Sequence, residues 1–126
     1  MQYRNIDESD YEYVIERLNS WWGDRNMADM LPRLFFTYFQ DSSFICIDGN
    51  KIVGFLVGFV SDAVKDTGYV HFVGVDPECR RSNIAKTLYS KFFLYCKGKG
   101  VSSVKCVTSP VNLVSIAFHQ RLGFKA

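Results

Sequence analysis

The hydrophobic positions near the N-terminus recur with the spacing of amphipathic helices. Asp7 can cap a first helix. The apolar side of that helix has i, i+3, i+4, i+7 spacing: Tyr11, Val14, Ile15 and Leu18. After a break at residues 21–26, a second helical pattern covers residues 27–40, in which Pro32 fits only near the first turn. One side of this second helix carries six apolar residues: Met30, Leu31, Leu34, Phe35, Tyr38 and Phe39.

Three β-rich runs follow these helices. Residues 43–47 (SFICI) and 52–60 (IVGFLVGFV) flank the turn DGNK. They predict a hairpin, because Asp-Gly between β-rich runs is a strong turn signal. The run TGYVHFVGV at residues 67–75 predicts a third strand after the polar turn SDAVKD.

Helical spacing returns from about Asn83 to Lys97 and ends at GKG. The predicted buried stripe of this helix is Ile84, Leu88, Phe92 and Tyr95. The run SSVKCVT predicts a further strand, and a capped helix is expected from about Asn112 to Leu122. With a short first strand, the order β, α, α, β, β, β, α, β, α predicts an α/β or α+β fold with helices on both faces of a sheet.

The composition fits one globular domain. The chain has 126 residues, of which 48% are hydrophobic, so residues 1–126 are expected to share one core. The sequence has no apolar run of about 18 residues and no signal-peptide pattern, which predicts a soluble, cytoplasmic protein with no membrane partner. The cysteines occur singly, so neither a metal site nor a disulfide framework is expected: Cys46, Cys79, Cys96 and Cys106.

Charge is distributed unevenly along the chain. Thirteen acidic and six basic residues lie at or before Glu78, a net charge of −7. The remainder has nine basic residues and no acid, a net charge of +9. This asymmetry either favours an anion at the C-terminal part or reflects ordinary solvated charge on helix faces. No nucleic-acid surface is expected, because the aromatics near these charges have core spacing rather than the interleaving of stacking platforms.

A turn between strand and helix is the candidate anion site. The strand ends at Val75, and the helix then begins with its free N–H groups directed past the strand's carboxyl end. Arg80 and Arg81 add forked donors suited to phosphate, although a plain capped helix with two surface arginines is the alternative. The motifs GxxxxGK[ST], GxGxxG and GxSxG are absent from the sequence. The absence of the first two motifs argues against a nucleotide triphosphatase and a dinucleotide-binding enzyme. The absence of GxSxG argues against an esterase whose nucleophilic serine lies in that motif.

Two segments together resemble the GNAT family of N-acetyltransferases. In that family the pattern [QR]-x-x-G-x-[GA] opens this helix, and its backbone amides bind the pyrophosphate of acetyl coenzyme A. The segment RRSNIA matches with Arg80 first and Ala85 last, and NLVSIAFHQRLGF matches the family's later element, an Asn followed by a helix that ends in GF. The resemblance covers almost the whole chain. It implies an acetyl-CoA-dependent N-acetyltransferase, without a metal, built on a mixed, largely antiparallel sheet flanked by helices.

The resemblance also implies the coenzyme site. At the helix start, the implied residues are Arg80, Arg81, Ser82, Asn83, Ile84, Ala85 and Lys86. The backbone of Val73, Gly74 and Val75 is implied to pair with the pantetheine arm, although a strand glycine can equally mark a bulge. Asn112 is a helix cap, a coenzyme contact or both, and Ser115 lies one turn further on.

Two residues depart from the family pattern. Asn83 stands where the first glycine is usual. Asn tolerates left-handed backbone angles better than other residues with side chains, so the turn can form. Its side chain narrows the approach to the phosphates, which predicts weaker coenzyme binding. His119 replaces a tyrosine that many members carry. It either protonates the departing thiolate, since its unperturbed pKa is about 6.5, or only packs against the coenzyme.

A second histidine is the candidate base. The acceptor amine must lose a proton before it attacks the thioester, so a base or a water chain is required. Strand alternation places His71 on the same face as Tyr69 and Val73. The resemblance implies a catalytic base at His71, near the position of a basic carboxylate in several members. The alternative is a hydrogen-bonded structural histidine.

The acceptor site is implied to lie between the first two helices and at the hairpin around SDAVKD. There Trp21, Trp22 and Met27 either form an apolar wall or belong to the core. The acids Asp24, Asp29, Asp62 and Asp66 either attract a cationic amine or lie in solvent. The implied acceptor is a small-molecule or peptide amine that attacks directly in a ternary complex. Cys106 leaves a cysteine-linked route open.

The end of the sequence bears on assembly. Family members generally continue past LGF with one or two further strands, whereas this sequence ends at Ala126. We expect either a truncated product or a homodimer whose partner supplies the missing strand edge, because an unpaired edge is a liability. With Asn83 and His119, this makes a non-catalytic acyl-CoA-binding or regulatory domain the alternative function.

Overall fold

The computed structural model describes residues 1–21, 31–79 and 83–106. Three helices lie in these ranges: α1 (Asp10–Trp21), α2 (Leu34–Tyr38) and α3 (Ile84–Gly98). The strands are β1 (Gln2–Asn5), β2 (Phe44–Asp48), β3 (Lys51–Val60), β4 (Thr67–Val75) and β5 (Ser103–Cys106). Two short 3₁₀ turns, Gln40–Ser42 and Pro77–Cys79, precede β2 and α3. The predicted helix from about Asn112 to Leu122 lies outside the described residues.

The five strands form one sheet in the order β1-β2-β3-β4-β5. The first four strands pair antiparallel with their neighbours, and β5 pairs parallel with β4. The parallel pair is connected through α3, as a parallel pair requires a crossover. The expected mixed, largely antiparallel sheet is confirmed, and β4 has the bounds of the run that predicted the third strand.

The sheet has a hydrophobic core on each face. On one face, α1 and α2 cover the sheet, and the shared cluster includes Leu18 of α1, Phe36 of α2 and Phe55 of β3, all fully buried. On the other face, α3 covers the sheet with residues that include Leu88 and Phe92. A fully buried Phe or Leu contributes about 1.5–3 kcal/mol relative to exposure, so these two layers hold the sheet in place.

The start of α1 has a reciprocal cap. The carboxylate of Asp7 accepts a hydrogen bond from the Ser9 N–H at 3.0 Å. In return, the carboxylate of Asp10 accepts one from the Asp7 N–H at 2.8 Å, the arrangement of a capping box. Arg4 on β1 also binds Asp10 through two hydrogen bonds of 2.9 Å. The predicted cap at Asp7 is confirmed, and Asp10 ties the helix to the sheet.

The second helix is much shorter than the sequence pattern predicted. It contains only Leu34–Tyr38, and Leu34 and Tyr38 are exposed rather than buried. Leu31 is buried although it precedes the helix, and Phe35 and Phe36 are the buried residues within it. The pattern was misleading because a non-helical segment supplies part of the apolar side. Pro32 lies just before the helix, and its carbonyl accepts a hydrogen bond from the Phe35 N–H at 3.4 Å.

Glycines on the sheet allow α3 to approach closely. A Cβ atom at Gly54 would lie 2.7 Å from Ile84 Cγ2, and one at Gly68 would lie 2.6 Å from Cys96 Sγ. The predicted stripe of α3 is confirmed for Ile84, Leu88 and Phe92, whereas Tyr95 is only half-buried. Tyr89 and Cys96 complete the buried side. In the described ranges, no helix has the length and apolar character needed to cross a membrane.

Candidate active site

The carboxyl end of β4 leads directly into the candidate anion site. Asp76 follows the strand, and its N–H donates to the Val53 carbonyl at 2.8 Å. The Asp76 carboxylate accepts a hydrogen bond from the Glu78 N–H at 3.0 Å, and the Asp76 carbonyl accepts one from the Cys79 N–H at 2.8 Å. These bonds fix the 3₁₀ turn that starts at Pro77, so they set the direction in which the chain continues after β4.

Asn83 has a left-handed backbone, with φ 58° and ψ 23°, immediately before α3. The prediction that Asn can adopt the backbone of a glycine at this turn is therefore confirmed. Its carbonyl accepts hydrogen bonds from the Thr87 N–H and hydroxyl, both at 3.0 Å. Its side chain makes no capping hydrogen bond to the helix. The N–H groups of the first turn consequently keep their donor capacity toward an external acceptor.

The first turn of α3 has one side chain in the core and a cationic side chain in solvent. Ile84 is only 1% exposed and lies against Gly54, so its side chain belongs to the core and only its backbone N–H can meet a ligand. Lys86 is exposed on the same turn. The partial positive charge at a helix N-terminus and a neighbouring ammonium both favour an anion. This end of α3 can therefore bind a phosphate group.

A β-bulge lies in β4 at His71. Val57 pairs with Phe72, but the next residue, Gly58, pairs with Val70. His71 is thus the extra residue of a bulge, which redirects the side chains around it. Tyr69 lies on the α2 side with His71, as expected, because the two rings approach each other. Val73 packs on the α3 side instead, so the prediction that it shares the face of His71 is wrong.

Five rings surround the bulge on the α2 side. The imidazole of His71 stacks on Phe35 with centroids 4.7 Å apart and planes inclined by 17°. From Phe35 the contacts run through Phe39, Phe59 and Tyr69 back to His71, with centroid distances of 5.5, 5.2, 5.3 and 6.1 Å. We call these five residues the aromatic circuit. Phe35 is buried, and the other four residues, including His71, are half-buried. The other four rings therefore form an aromatic wall beside the imidazole of His71.

The predicted pantetheine residues follow the bulge. Gly74 pairs with Phe55 on β3, and Val75 pairs with Gly54. On its other side, β4 pairs with the described part of β5 only from Thr67 to Val70. Val73, Gly74 and Val75 therefore lie beyond the described part of that pairing, between the bulge and the anion site. The pantetheine contacts of these three residues stay a prediction.

Two acceptor-site candidates have structural contacts. Trp21 is 5% exposed, and its indole stacks on Phe55 with centroids 6.2 Å apart. Of the two interpretations of this tryptophan, the structure supports a core residue. Asp66 accepts hydrogen bonds from the Ser102 N–H at 2.8 Å and hydroxyl at 2.7 Å. The Ser102 hydroxyl is the main cause of a lowered pKa at Asp66, whose carboxylate holds the hairpin loop against the start of β5.

The described thiols are poor nucleophiles. Burial raises the pKa of Cys96 to about 11. Burial is also the main cause of the raised pKa at Cys46 and Cys79. A thiol, unlike a thiolate, is a weak nucleophile, so none of the three suits covalent catalysis at neutral pH. Among the residues in the described ranges, no group of three or more His, Cys, Asp or Glu side chains could hold a metal ion.

Several predicted site residues lie outside the described residues: Trp22, Asp24, Met27, Asp29, Arg80, Arg81, Ser82, Asn112, Ser115 and His119. Cys106 ends β5, and its side chain is likewise not described. Sequence reasoning also missed Phe35 as the ring against His71, together with Ser42 and Ser43 below the bulge. No sequence pattern marked these three residues, because only the packing of α2 and the pairing of β2 with β3 bring them close to β3 and β4.

The chain matches the model of the acetyltransferase (GNAT) family over residues 3–124. An uncharacterized N-acetyltransferase of Methanocaldococcus jannaschii is 31% identical over 90 residues, which cover 68% of this chain and 40% of that protein. The L-2,4-diaminobutyric acid acetyltransferase of Shouchella clausii is 27% identical over 86 residues, which cover 68% of this chain and 48% of that enzyme. The chain therefore spans less than half the length of these curated relatives.

A solved structure agrees with the sequence comparisons. The diaminobutyrate acetyltransferase of Paenibacillus lautus, in complex with L-2,4-diaminobutyric acid and coenzyme A, superposes with a TM-score of 0.76. It is 27% identical, and the superposition covers 97% of this chain and 72% of that one. The likeness therefore extends over both helical layers and the sheet between them.

Proposed function

Because the chain belongs to the acetyltransferase (GNAT) family, we propose that it transfers an acetyl group from acetyl-CoA to a primary amine of a small molecule or peptide. The observation that carries this proposal is the left-handed Asn83 between β4 and α3. It presents the first turn of the helix to an anion at the place where the family pattern binds a pyrophosphate.

The coenzyme is proposed to follow β4 and end at α3. Its pyrophosphate accepts hydrogen bonds from the backbone of Asn83, Ile84 and Ala85, with Lys86 nearby as an exposed cation. Arg80, Arg81 and Ser82 complete the turn, and Asn112 and Ser115 contribute from the later family element. The backbone of residues 73–75 pairs with the pantetheine arm, which places the thioester toward the bulge. Coenzyme A bound to the Paenibacillus lautus relative supports this ligand.

The proposed chemistry is direct attack in a ternary complex. The amine nitrogen attacks the thioester carbonyl, the C–S bond breaks, and the sulfur leaves as a thiolate. His71 removes the proton from the amine, either directly or through water, and His119 returns a proton to the thiolate. Burial raises the pKa of Cys46, Cys79 and Cys96, which supports this route over an acetyl-cysteine intermediate at any of these three thiols.

The acceptor is proposed to approach His71 along the aromatic circuit. Ring faces attract an ammonium group and pack against its carbon skeleton. Trp22 and Asp24, in the segment between α1 and α2, are proposed to border the same space, with Trp21 supporting them from the core. Relatives that act on L-2,4-diaminobutyric acid support a small primary amine as acceptor. The protein is proposed to work in the cytoplasm and to form a homodimer.

A transfer assay separates this function from the non-catalytic alternative. The protein is incubated with acetyl-CoA, a thiol-reporting reagent and each of a panel of primary amines. Binding of coenzyme A to the protein is measured by calorimetry in parallel. Acetyl transfer predicts thiol release that depends on the amine. Coenzyme binding without turnover on any amine would support an acyl-CoA-binding or regulatory domain instead.

A further inference from the structure

We propose that the buried hydroxyl of Ser43 is a positioning group that holds the bulge of β4, and thereby His71, through the backbone of Gly58. The inference rests on the proposed role of His71. It adds a residue that contacts neither coenzyme nor acceptor and acts across one strand.

Gly58 is the residue of β3 that faces the bulge. It pairs with Val70, the neighbour of the inserted residue His71. A Cβ atom at Gly58 would lie 2.6 Å from the Tyr69 carbonyl oxygen and 2.9 Å from the Phe92 ring. There is thus no free space between Gly58 and the Tyr69 backbone, and a shift of Gly58 would be transmitted to the bulge.

On the other side of Gly58, the described strands offer no residue that pairs with it. The pairing of β2 with β3 ends at Phe44 and Leu56, before it reaches Gly58. In its place, the Gly58 N–H donates to the Ser43 hydroxyl at 3.2 Å. The hydroxyls of Ser42 and Ser43 donate to the Gly58 carbonyl, at 2.5 and 3.4 Å. Two side chains therefore replace the backbone hydrogen bonds that a longer β2 would have supplied.

Burial makes these hydrogen bonds hard to replace with water. Ser42 is 3% exposed and Ser43 is fully buried. The Ser43 backbone is held independently, since its carbonyl accepts a hydrogen bond from the Ile6 N–H at 3.0 Å. Removal of the hydroxyl therefore leaves residue 43 in place and leaves a buried Gly58 N–H without its acceptor. We expect the backbone to rearrange in response where the strand pairing is already irregular, at the bulge.

The test compares Ser43→Ala with Asp10→Ala, which removes a buried carboxylate at the start of α1 that contacts Arg4 on β1 rather than Gly58. Amide hydrogen exchange is measured at Val70, His71 and Phe72. Relative to the paired amides of β3, we expect exchange at these amides to become at least about tenfold faster in Ser43→Ala and to keep the wild-type ratio in Asp10→Ala, because a loss of global stability affects both strands alike. Equal exchange in the two variants would overturn the proposal, whether or not the protein transfers acetyl groups.

Kinetics then test the route through His71. We expect Ser43→Ala to lower kcat about tenfold, since small misplacements of catalytic groups carry large rate effects, and to leave the KM for acetyl-CoA within about twofold. In the His71→Gln background the same substitution should lower kcat by less than about twofold. Fully multiplicative losses would show that Ser43 does not act through His71. An inactive wild type would overturn the proposed function and leave the exchange result standing.

If Ser43→Ala does not fold, hydrogen exchange in the wild-type protein still tests the contact between Ser43 and Gly58. The Gly58 amide is expected to exchange as slowly as the paired amides of β3 around it. Exchange as fast as in the exposed loop at residues 62–66 would show that Ser43 does not hold Gly58, and would overturn the proposal.

Discussion

The imidazole of His71 lies almost parallel to the ring of Phe35, with centroids 4.7 Å apart and an interplanar angle of 17°. The contact joins α2 to the bulge of β4, so the short helix sets one side of the space around the proposed base. Offset ring pairs of this kind add about 0.5–1.5 kcal/mol beyond the area that they bury. A helix of five residues is thereby tied to the candidate active site.

Phe35→Leu tests that contact. The apolar volume is largely kept, so the free energy of unfolding should fall by less than about 1.5 kcal/mol. The rate should suffer more, with kcat about tenfold lower, because the imidazole loses the ring that orients it. Urea denaturation and steady-state kinetics give the two values. Tyr38→Leu on the same helix is the control, since Tyr38 is 78% exposed, and should leave both close to wild type. Equal effects of the two substitutions would contradict the assignment.

The Asn83 backbone predicts the order of coenzyme affinities in two variants. Asn83→Gly relieves the left-handed strain and opens the approach to the phosphates, so coenzyme A should bind at least as tightly as to wild type. Asn83→Ala keeps a Cβ atom where the left-handed backbone costs about 1–2 kcal/mol, and should bind about tenfold more weakly. Isothermal titration calorimetry with coenzyme A measures both. Tighter binding to the Ala variant than to the Gly variant would refute the proposed loop.

Gly54 predicts a link between core packing and coenzyme binding. Gly54→Ala places a methyl group 2.7 Å from Ile84 Cγ2, which should push back the start of α3. Overpacking of this kind costs about 1–3 kcal/mol of stability. Affinity for coenzyme A should fall as well, because the helix start moves. Gly98→Ala is the matched control, since an added Cβ meets nothing within 4 Å, and it should be neutral or stabilising.

Asp66 predicts a stability difference that depends on pH. Hydrogen bonds from Ser102 lower the pKa of Asp66 below its ordinary value of 3.8. The ionised carboxylate therefore adds stability above pH 3.8, and this contribution is lost as the pH falls through the lower, folded-state pKa. Asp66→Asn, which tolerates the left-handed φ of 59°, should lower the urea midpoint at neutral pH.

The same difference should vanish in acid, where wild-type Asp66 is itself protonated. Asp62→Asn in the same loop is the control and should change the midpoint little at either pH. A difference between Asp66→Asn and wild type that persists undiminished in acid would assign the effect to something other than the carboxylate charge.

The strands were predictable because β-rich apolar runs are bounded by polar turns, and α3 was predictable because its apolar residues have helical spacing. The run from Thr67 to Val75 and the helix after Asn83 both begin and end close to the predicted positions. The length of α2 was not predictable, because Leu31 fills the core from outside the helix. Helical spacing in the sequence cannot distinguish a helix from an irregular segment that happens to bury the same residues.

The site was predictable only in part. The left-handed backbone of Asn83 followed from its residue type and its place in the family pattern. The bulge at His71 did not, since the inserted residue is defined by its partners on β3 rather than by its neighbours in sequence. Strand alternation therefore placed Val73 on the wrong face. The same dependence on register concealed Ser43, which reaches Gly58 only after β2 and β3 have paired.

The stoichiometry of products in one reaction tests the proposed acetyl transfer most directly. Purified protein, acetyl-CoA and a primary amine are mixed, released coenzyme A thiol is titrated, and the amine product is quantified by mass spectrometry. An N-acetyltransferase predicts one N-acetylated amine for each thiol released, and little thiol without the amine. Thiol release at the same rate without an amine, or bound coenzyme that is never turned over, would contradict the account.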